Sequence, residues 1–296
     1  MFIFLAGVSL TLFLLLSKLR SSKLIANAYK KAAFVYSLLF LVLFFISIYG
    51  HLKQKGFYPV SYLDEIQMTL RPNVKLHSEK QNNLSLIKLE YKKSVQVSAP
   101  IISQLPELPR GCEVTSLAML LNSAGVTVDK MHLANIVKKD YTPYRKEGNQ
   151  VYFGNPNSGF VGNMYTLTEP GYGVYHGPIR ELAEKYLPET IIDITGSNIS
   201  TIKYYLNLGS PVWVITNTLY SELPEDKFES WITPTGPIEI TYKLHSVLVT
   251  GYDQSYIYFN DPLTNTKNKK AKIADFEAAW VQMGRQAITY YQDVKM

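Results

Sequence analysis

Two stretches near the amino end, residues 1–16 and 32–49, contain no charged side chain, and no other feature constrains the chain as strongly. At about 1.5 Å per residue a helix over the first spans about 24 Å, against a hydrocarbon thickness of about 30 Å. Residues 17–19 can extend it, with Lys18 reaching back to the interface. The second stretch, taken alone, reads as long enough. The expectation is therefore a membrane anchor over residues 1–50 made of two transmembrane helices. A cleaved signal peptide fits less well, because no basic segment precedes the first run and no A-x-A-like site follows it. The connecting loop, residues 17–31, holds five Lys or Arg and no acidic residue. By the positive-inside rule it faces the cytoplasm, which puts both chain ends and the large domain outside the cell membrane.

The net charge of +6 is also an amino-terminal property. Residues 1–56 carry seven basic side chains and no acidic one, and the remainder carries 23 basic against 24 acidic. A near-neutral domain does not predict a nucleic-acid partner. With 296 residues, 47% of them hydrophobic, the chain can build a full core, and wholesale disorder is excluded. A single cysteine excludes an internal disulfide framework and a Cys-based zinc cluster. The five histidines form neither H-E-x-x-H nor H-x-x-E-H, and no G-x-G-x-x-G or P-loop occurs, so no metal and no cofactor is expected.

Residues 51–100 are polar and mixed and read as a stalk, with one or two strands over 84–97 where polar and apolar residues partly alternate. Beyond residue 100 the punctuation sharpens. Val114, Leu117, Ala118 and Leu121 fall on one face of a helix over 112–124, stopped by Gly125. A second helix follows Asp129, and 142–173 reads as a long functional loop rich in Gly, Pro, Asn and Tyr. Pro178 opens a further helix at its first position, Ser197 or Asn198 caps another, and 211–215 is a buried strand. Residues 246–250 and 256–259 form a hairpin, 273–283 a helix and 286–291 a last strand. Helices first and antiparallel strands later make the class α+β.

Cys112 stands in the first turn of its helix, where free N–H groups and the helix dipole favour a thiolate. Glu113 beside it pushes the other way, and Arg110 offsets that. A lone cysteine is equally read as a small buried hydrophobe, so partners decide. A cysteine nucleophile needs a base and a group that orients the base. Of the five histidines, His51 and His77 belong to the stalk and His132 to a helix face. His176 lies in the loop region and could line a groove. His245 immediately precedes the first strand of the hairpin, and Asp261 lies just beyond the end of the second. The start of one strand and the end of its antiparallel partner lie side by side, so these two become neighbours. Gly111 and the loop residues Tyr152, Phe153, Phe160, Gly173, Tyr175 and Trp231 are further groove candidates, since aromatic side chains bind peptide faces, although many tyrosines simply pack beneath loops.

The blocks QLPELPRGCEVTSLAMLLNSAG, LHSVLVTGYD and YFNDPL, in that order, resemble the C39-like peptidase family, papain-like cysteine peptidases related to bacteriocin-leader-processing domains. The resemblance runs from about residue 102 to 291, within a domain placed at 101–296. It implies a papain-like fold whose helical first part carries the nucleophile and whose antiparallel sheet carries the histidine and aspartate. It further implies Cys112 as nucleophile, His245 as general acid and base, Asp261 as the orienting group, and Gln104 as an oxyanion donor beside the Cys112 N–H. The absence of a following nucleotide-binding segment argues against export-coupled leader cleavage. The expected protein is thus a membrane-anchored, outward-facing cysteine peptidase with peptide or protein substrates and the lipid bilayer as partners. The alternatives are an acyltransferase or amidase on cell-wall peptides using the same residues, and a catalytically silent surface-binding protein.

Overall fold

Strands buried along their whole length are stable only when both faces of their sheet are covered, and the segment Val212–Asn217 (VWVITN) is buried at every position. In the computed structural model, which describes residues 2–21, 27–54 and 92–291, Val212 and Val214 point to one core and Trp213 and Ile215 to another. The chain divides into two compact units, Met1–Glu79 and Lys80–Met296.

The first unit contains α1 (Phe2–Ser21) and α2 (Asn27–Gln54), packed against each other with Ser9, Ser37 and Ser47 among the buried side chains. Among the described residues no helix is long and apolar enough to cross a membrane. This overturns the two transmembrane helices and the multi-pass cell-membrane location with the domain outside. The physical reason is the length of the charge-free runs rather than of the helices, which extend over 20 and 28 residues. The charge-free runs reach only about 24 and 27 Å of helix, short of the ~30 Å core, and Lys18 and Arg20 follow the first while Lys30 and Lys31 precede the second. Without a spanning helix the positive-inside argument loses its premise. Most of the stalk, including residues 84–91 of the proposed strands, lies outside the described residues.

The second unit is built on a seven-stranded antiparallel sheet. Its main path runs β12 (Thr266–Lys272), β11 (Tyr256–Asp261), β10 (Leu244–Tyr252), β7 (Val212–Asn217), β13 (Ala287–Tyr290) and β6 (Ile191–Asp193), and β1 (Val95–Gln96) joins the far end of β10. On one face lie α3 (Cys112–Ser123), α4 (Lys130–Ile136) and α5 (His176–Glu184), packing Val114, Leu117, Leu121, Leu133 and Ile179 on Trp213, Ile215, Leu248 and Ile288. On the other, α6 (Ile199–Asn207) and α7 (Ile273–Gln282) bring Ile202, Leu206, Phe276 and Trp280 onto Val212, Val214, Val247 and Phe259. The helices begin where their capping residues allow: Asp129 accepts from the Met131 N–H, and Asn198 from that of Thr201.

Three local expectations change. Helix α5 starts at His176, two residues before Pro178, so the proline sits within the first turn, where its missing N–H still costs nothing. The segment 142–173 is not a bare loop: β3 (Arg145–Glu147) and β4 (Gln150–Tyr152) join β8 (Glu229–Thr233) and β9 (Gly236–Ile240) in a four-stranded sheet. Within the same segment β5 (Phe160–Val161) pairs in parallel with β2 (Lys139–Asp140).

Candidate active site

The turn into α3 is closed by backbone bonds from Leu108 N–H to Gln104 O and from Gly111 N–H to Leu108 O. A side chain at Gly111 would place its Cβ 2.5 Å from Leu108 Cβ, so a glycine is required for this approach. Cys112 is the first helical residue. One turn on, Ser116 Oγ donates to Ser246 O at 3.0 Å, tying the start of α3 to the residue that follows His245 on β10. The thiol is buried and its pKa is raised well above the ordinary value, first by burial and next by the Glu113 carboxylate, with a Ser246 backbone hydrogen bond opposing. The expectation that the helix dipole dominates is therefore corrected: loss of hydration outweighs a fraction of a charge at a helix end.

His245 and Asp261 meet as the hairpin geometry requires. His245 Nε2 and Asp261 Oδ1 are 2.8 Å apart, both residues are buried, and the pairing Leu248 with Asn260 sets the register that brings them together. Asp261 Oδ2 accepts from Tyr220 Oη at 2.8 Å, Lys269 Nζ at 2.8 Å and Thr264 Oγ1 at 2.7 Å, and Oδ1 accepts from the Leu263 N–H at 3.0 Å. Burial pushes this carboxyl up, yet the His245, Lys269 and Thr264 interactions outweigh it and hold the group well below the usual carboxylate range. The Tyr220 ring lies edge-on to His245 at 6.1 Å, with Lys269 Nζ 4.7 Å from its centroid. With Nε2 engaged, Nδ1 is the ring nitrogen left for a thiol proton. Tyr220, Thr264 and Lys269 escaped the sequence reading, because nothing local marks a residue from a distant turn or strand as a carboxylate donor.

Cys112 and His245 line one cavity of ≈ 310 Å³, together with Gln104, Arg110, Tyr172, Thr218, Tyr242, Leu167 and Leu263. Gln104 is buried there, but its Nε2 spends both protons on Leu108 O (3.1 Å) and Pro109 O (3.0 Å), and its Oε1 has no partner. The remaining groove candidates are not among the lining residues. Tyr175 and Trp231 are buried with Phe153, Val161 and Tyr172 in an aromatic cluster, where Trp231 Nε1 donates to Gly154 O. Large rings in this small sheet gain more by covering its apolar face than by exposure. Phe160 is core, and Tyr152 lies in β4 under the Arg145 guanidinium. His176 is taken up by Asp193, with Nδ1 2.8 Å from Oδ2, an ion-pair geometry that fastens α5 to the edge strand β6. Gly173 packs against the Glu113 carboxyl. Among the described residues no group of three or more His, Cys, Asp or Glu side chains is arranged to hold a metal ion.

The sequence from residue 96 to 288, which contains α3, the hairpin and all four candidate residues, matches the Peptidase_C39 like family. The chain belongs to that family. It is 49% identical over 183 residues to YvpB of Bacillus subtilis (strain 168), covering 62% of this chain and 70% of that protein. A crystal structure from Bacillus anthracis, described as a C39-like peptidase, aligns with a TM-score of 0.64 at 49% identity, covering 69% of this chain and all of the other. The α+β, C39-like character of the second unit thus rests on sequence and structure alike.

Proposed function

We propose that this C39-like domain is a cysteine peptidase that hydrolyses peptide bonds in a peptide or protein substrate. The observation that carries the reading is the buried 2.8 Å pair of His245 and Asp261, whose histidine lines the same cavity as Cys112. In this mechanism the Cys112 sulfur attacks the scissile carbonyl as its proton passes to His245 Nδ1. The Cys112 backbone N–H, at the start of α3, faces the oxyanion, and Gln104 joins it once its amide turns from the Leu108 and Pro109 carbonyls. His245 then protonates the leaving amine, and a water activated by the same imidazole releases the acyl group. Asp261 holds the ring throughout. Exposed Leu167, Leu263 and Tyr242 on the cavity wall suit an extended peptide bearing an apolar side chain near the cleaved bond.

The test is turnover of a mixed peptide library by the purified full chain, read by mass spectrometry. Cys112→Ala should lose several orders of magnitude in kcat/KM while unfolding at the wild-type temperature. A folded Cys112→Ala protein that cleaves at the wild-type rate refutes the assignment.

A further inference from the structure

Glu113 follows the candidate nucleophile directly and is 1% exposed, yet no cation is among the groups that set its ionisation. Its seat is specific. Oε1 accepts the Val174 N–H at 3.0 Å, Oε2 accepts the Cys112 thiol at 3.3 Å, and its backbone oxygen accepts Trp213 Nε1 at 3.0 Å. A Cβ at Gly173 would stand 2.2 Å from Oε1, so the chain keeps a glycine there to admit the carboxyl. A buried acid without a counter-charge costs stability that Gln or Leu in the same space would not. The thiol proton is aimed at this carboxylate, whereas the proposed chemistry needs it on His245.

Accepting Cys112 as the nucleophile, we propose that Glu113 holds the proton of the resting thiol, and that the sulfur becomes available as this carboxyl itself takes up a proton. When Glu113 is charged, moving the Sγ proton to His245 Nδ1 creates a thiolate beside a like charge. When Glu113 is neutral, the same transfer sets no like charge beside the sulfur, and the carboxyl O–H donates to the new thiolate. Burial raises the Glu113 pKa to about 7, so the change falls in the neutral range. The other titratable groups facing it are the Tyr172 and Tyr175 phenols from the segment before α5, both raised first by burial and also by Glu113, while His245, Arg110 and Tyr242 line the cavity with Cys112. Glu113 acts through the sulfur and is a positioning residue for the attack.

The experiment is the rate of iodoacetamide alkylation of Cys112 in the full chain, wild type against Glu113→Gln, from about pH 5.5 to about pH 8.5. The carboxamide can still accept from Val174 and donates to sulfur, as a protonated Glu113 does. Glu113→Gln should therefore react about tenfold or more faster at the alkaline end and within about twofold of wild type at the acid end. A ratio independent of pH, or a slower variant at the alkaline end, overturns the proposal. The comparison is repeated on a His245→Ala background so that the imidazole's titration does not contribute. Should Glu113→Gln fail to fold, the His245→Ala protein still decides: with Glu113 in control the logarithm of the rate flattens above about pH 7, and a steady unit slope through that range overturns it. Alkylation reads the sulfur alone, so a protein that fails the peptidase test still gives a decisive answer here.

Discussion

Asp261 collects donors from four places: an imidazole on β10, a phenol in the turn after β7, an ammonium on β12 and groups of its own turn. Such a carboxylate does more than orient a ring, because its ionised form is tied to the folded state. Its pKa is depressed on folding, so the stability it contributes is present above the unfolded value of about 3.9 and is lost as pH falls through the lower folded value. Removing one cation brings the folded pKa back toward the ordinary value and moves that loss to higher pH. Lys269→Met should accordingly raise the midpoint of acid unfolding followed by circular dichroism, and an unchanged midpoint would remove Lys269 from this account. The neighbouring pair shows the opposite balance: with no cation among the groups that set their ionisation, burial keeps Cys112 and Glu113 toward their protonated forms.

At the scale of the element, the start of α3 is held by contact rather than by a capping side chain. Gly111 makes no side-chain cap, and its missing Cβ is what lets Leu108, fully buried, close the turn beneath the nucleophile. Gly111→Ala should cost about 1–3 kcal/mol in chemical denaturation, the usual range for overpacking, and should slow alkylation of Cys112 as the turn shifts. Helix α3 and the β10–β11 hairpin were legible beforehand because both are local: a 3.6-residue apolar period ended by Gly125, and two apolar strands joined by a short turn. The hairpin of β8 and β9 was missed because its exposed Glu229, Ser230 and Glu239 break the apolar run, and β12 because six of its seven residues are lysine or polar. β9 and β12 are edge strands, and charge on an edge resists further pairing, which conceals such strands from an apolar-pattern reading.

The whole molecule divides so that every apolar cluster of the second unit draws on residues between Val95 and Tyr290, including both sides of the main sheet. A fragment of residues 80–296 should therefore unfold cooperatively by itself, with a single transition in urea detected equally by tryptophan fluorescence and circular dichroism. Non-coincident transitions would show that the first unit is needed. The amino-acid sequence by itself determined the helix that presents Cys112, the hairpin that joins His245 to Asp261, the α+β class and the family, since each rests on short-range periodicity or on ordered motifs. It misled at the amino end, where apolar composition was taken for a membrane span although no described helix is long and apolar enough to cross one. Only the tertiary structure decided that α3 and β10 share a cavity, that Tyr220 and Lys269 secure the aspartate, and that the thiol is raised rather than lowered in pKa. Desolvation and long-range hydrogen bonding are properties of what surrounds a group, and no residue carries its surroundings in its neighbours along the chain.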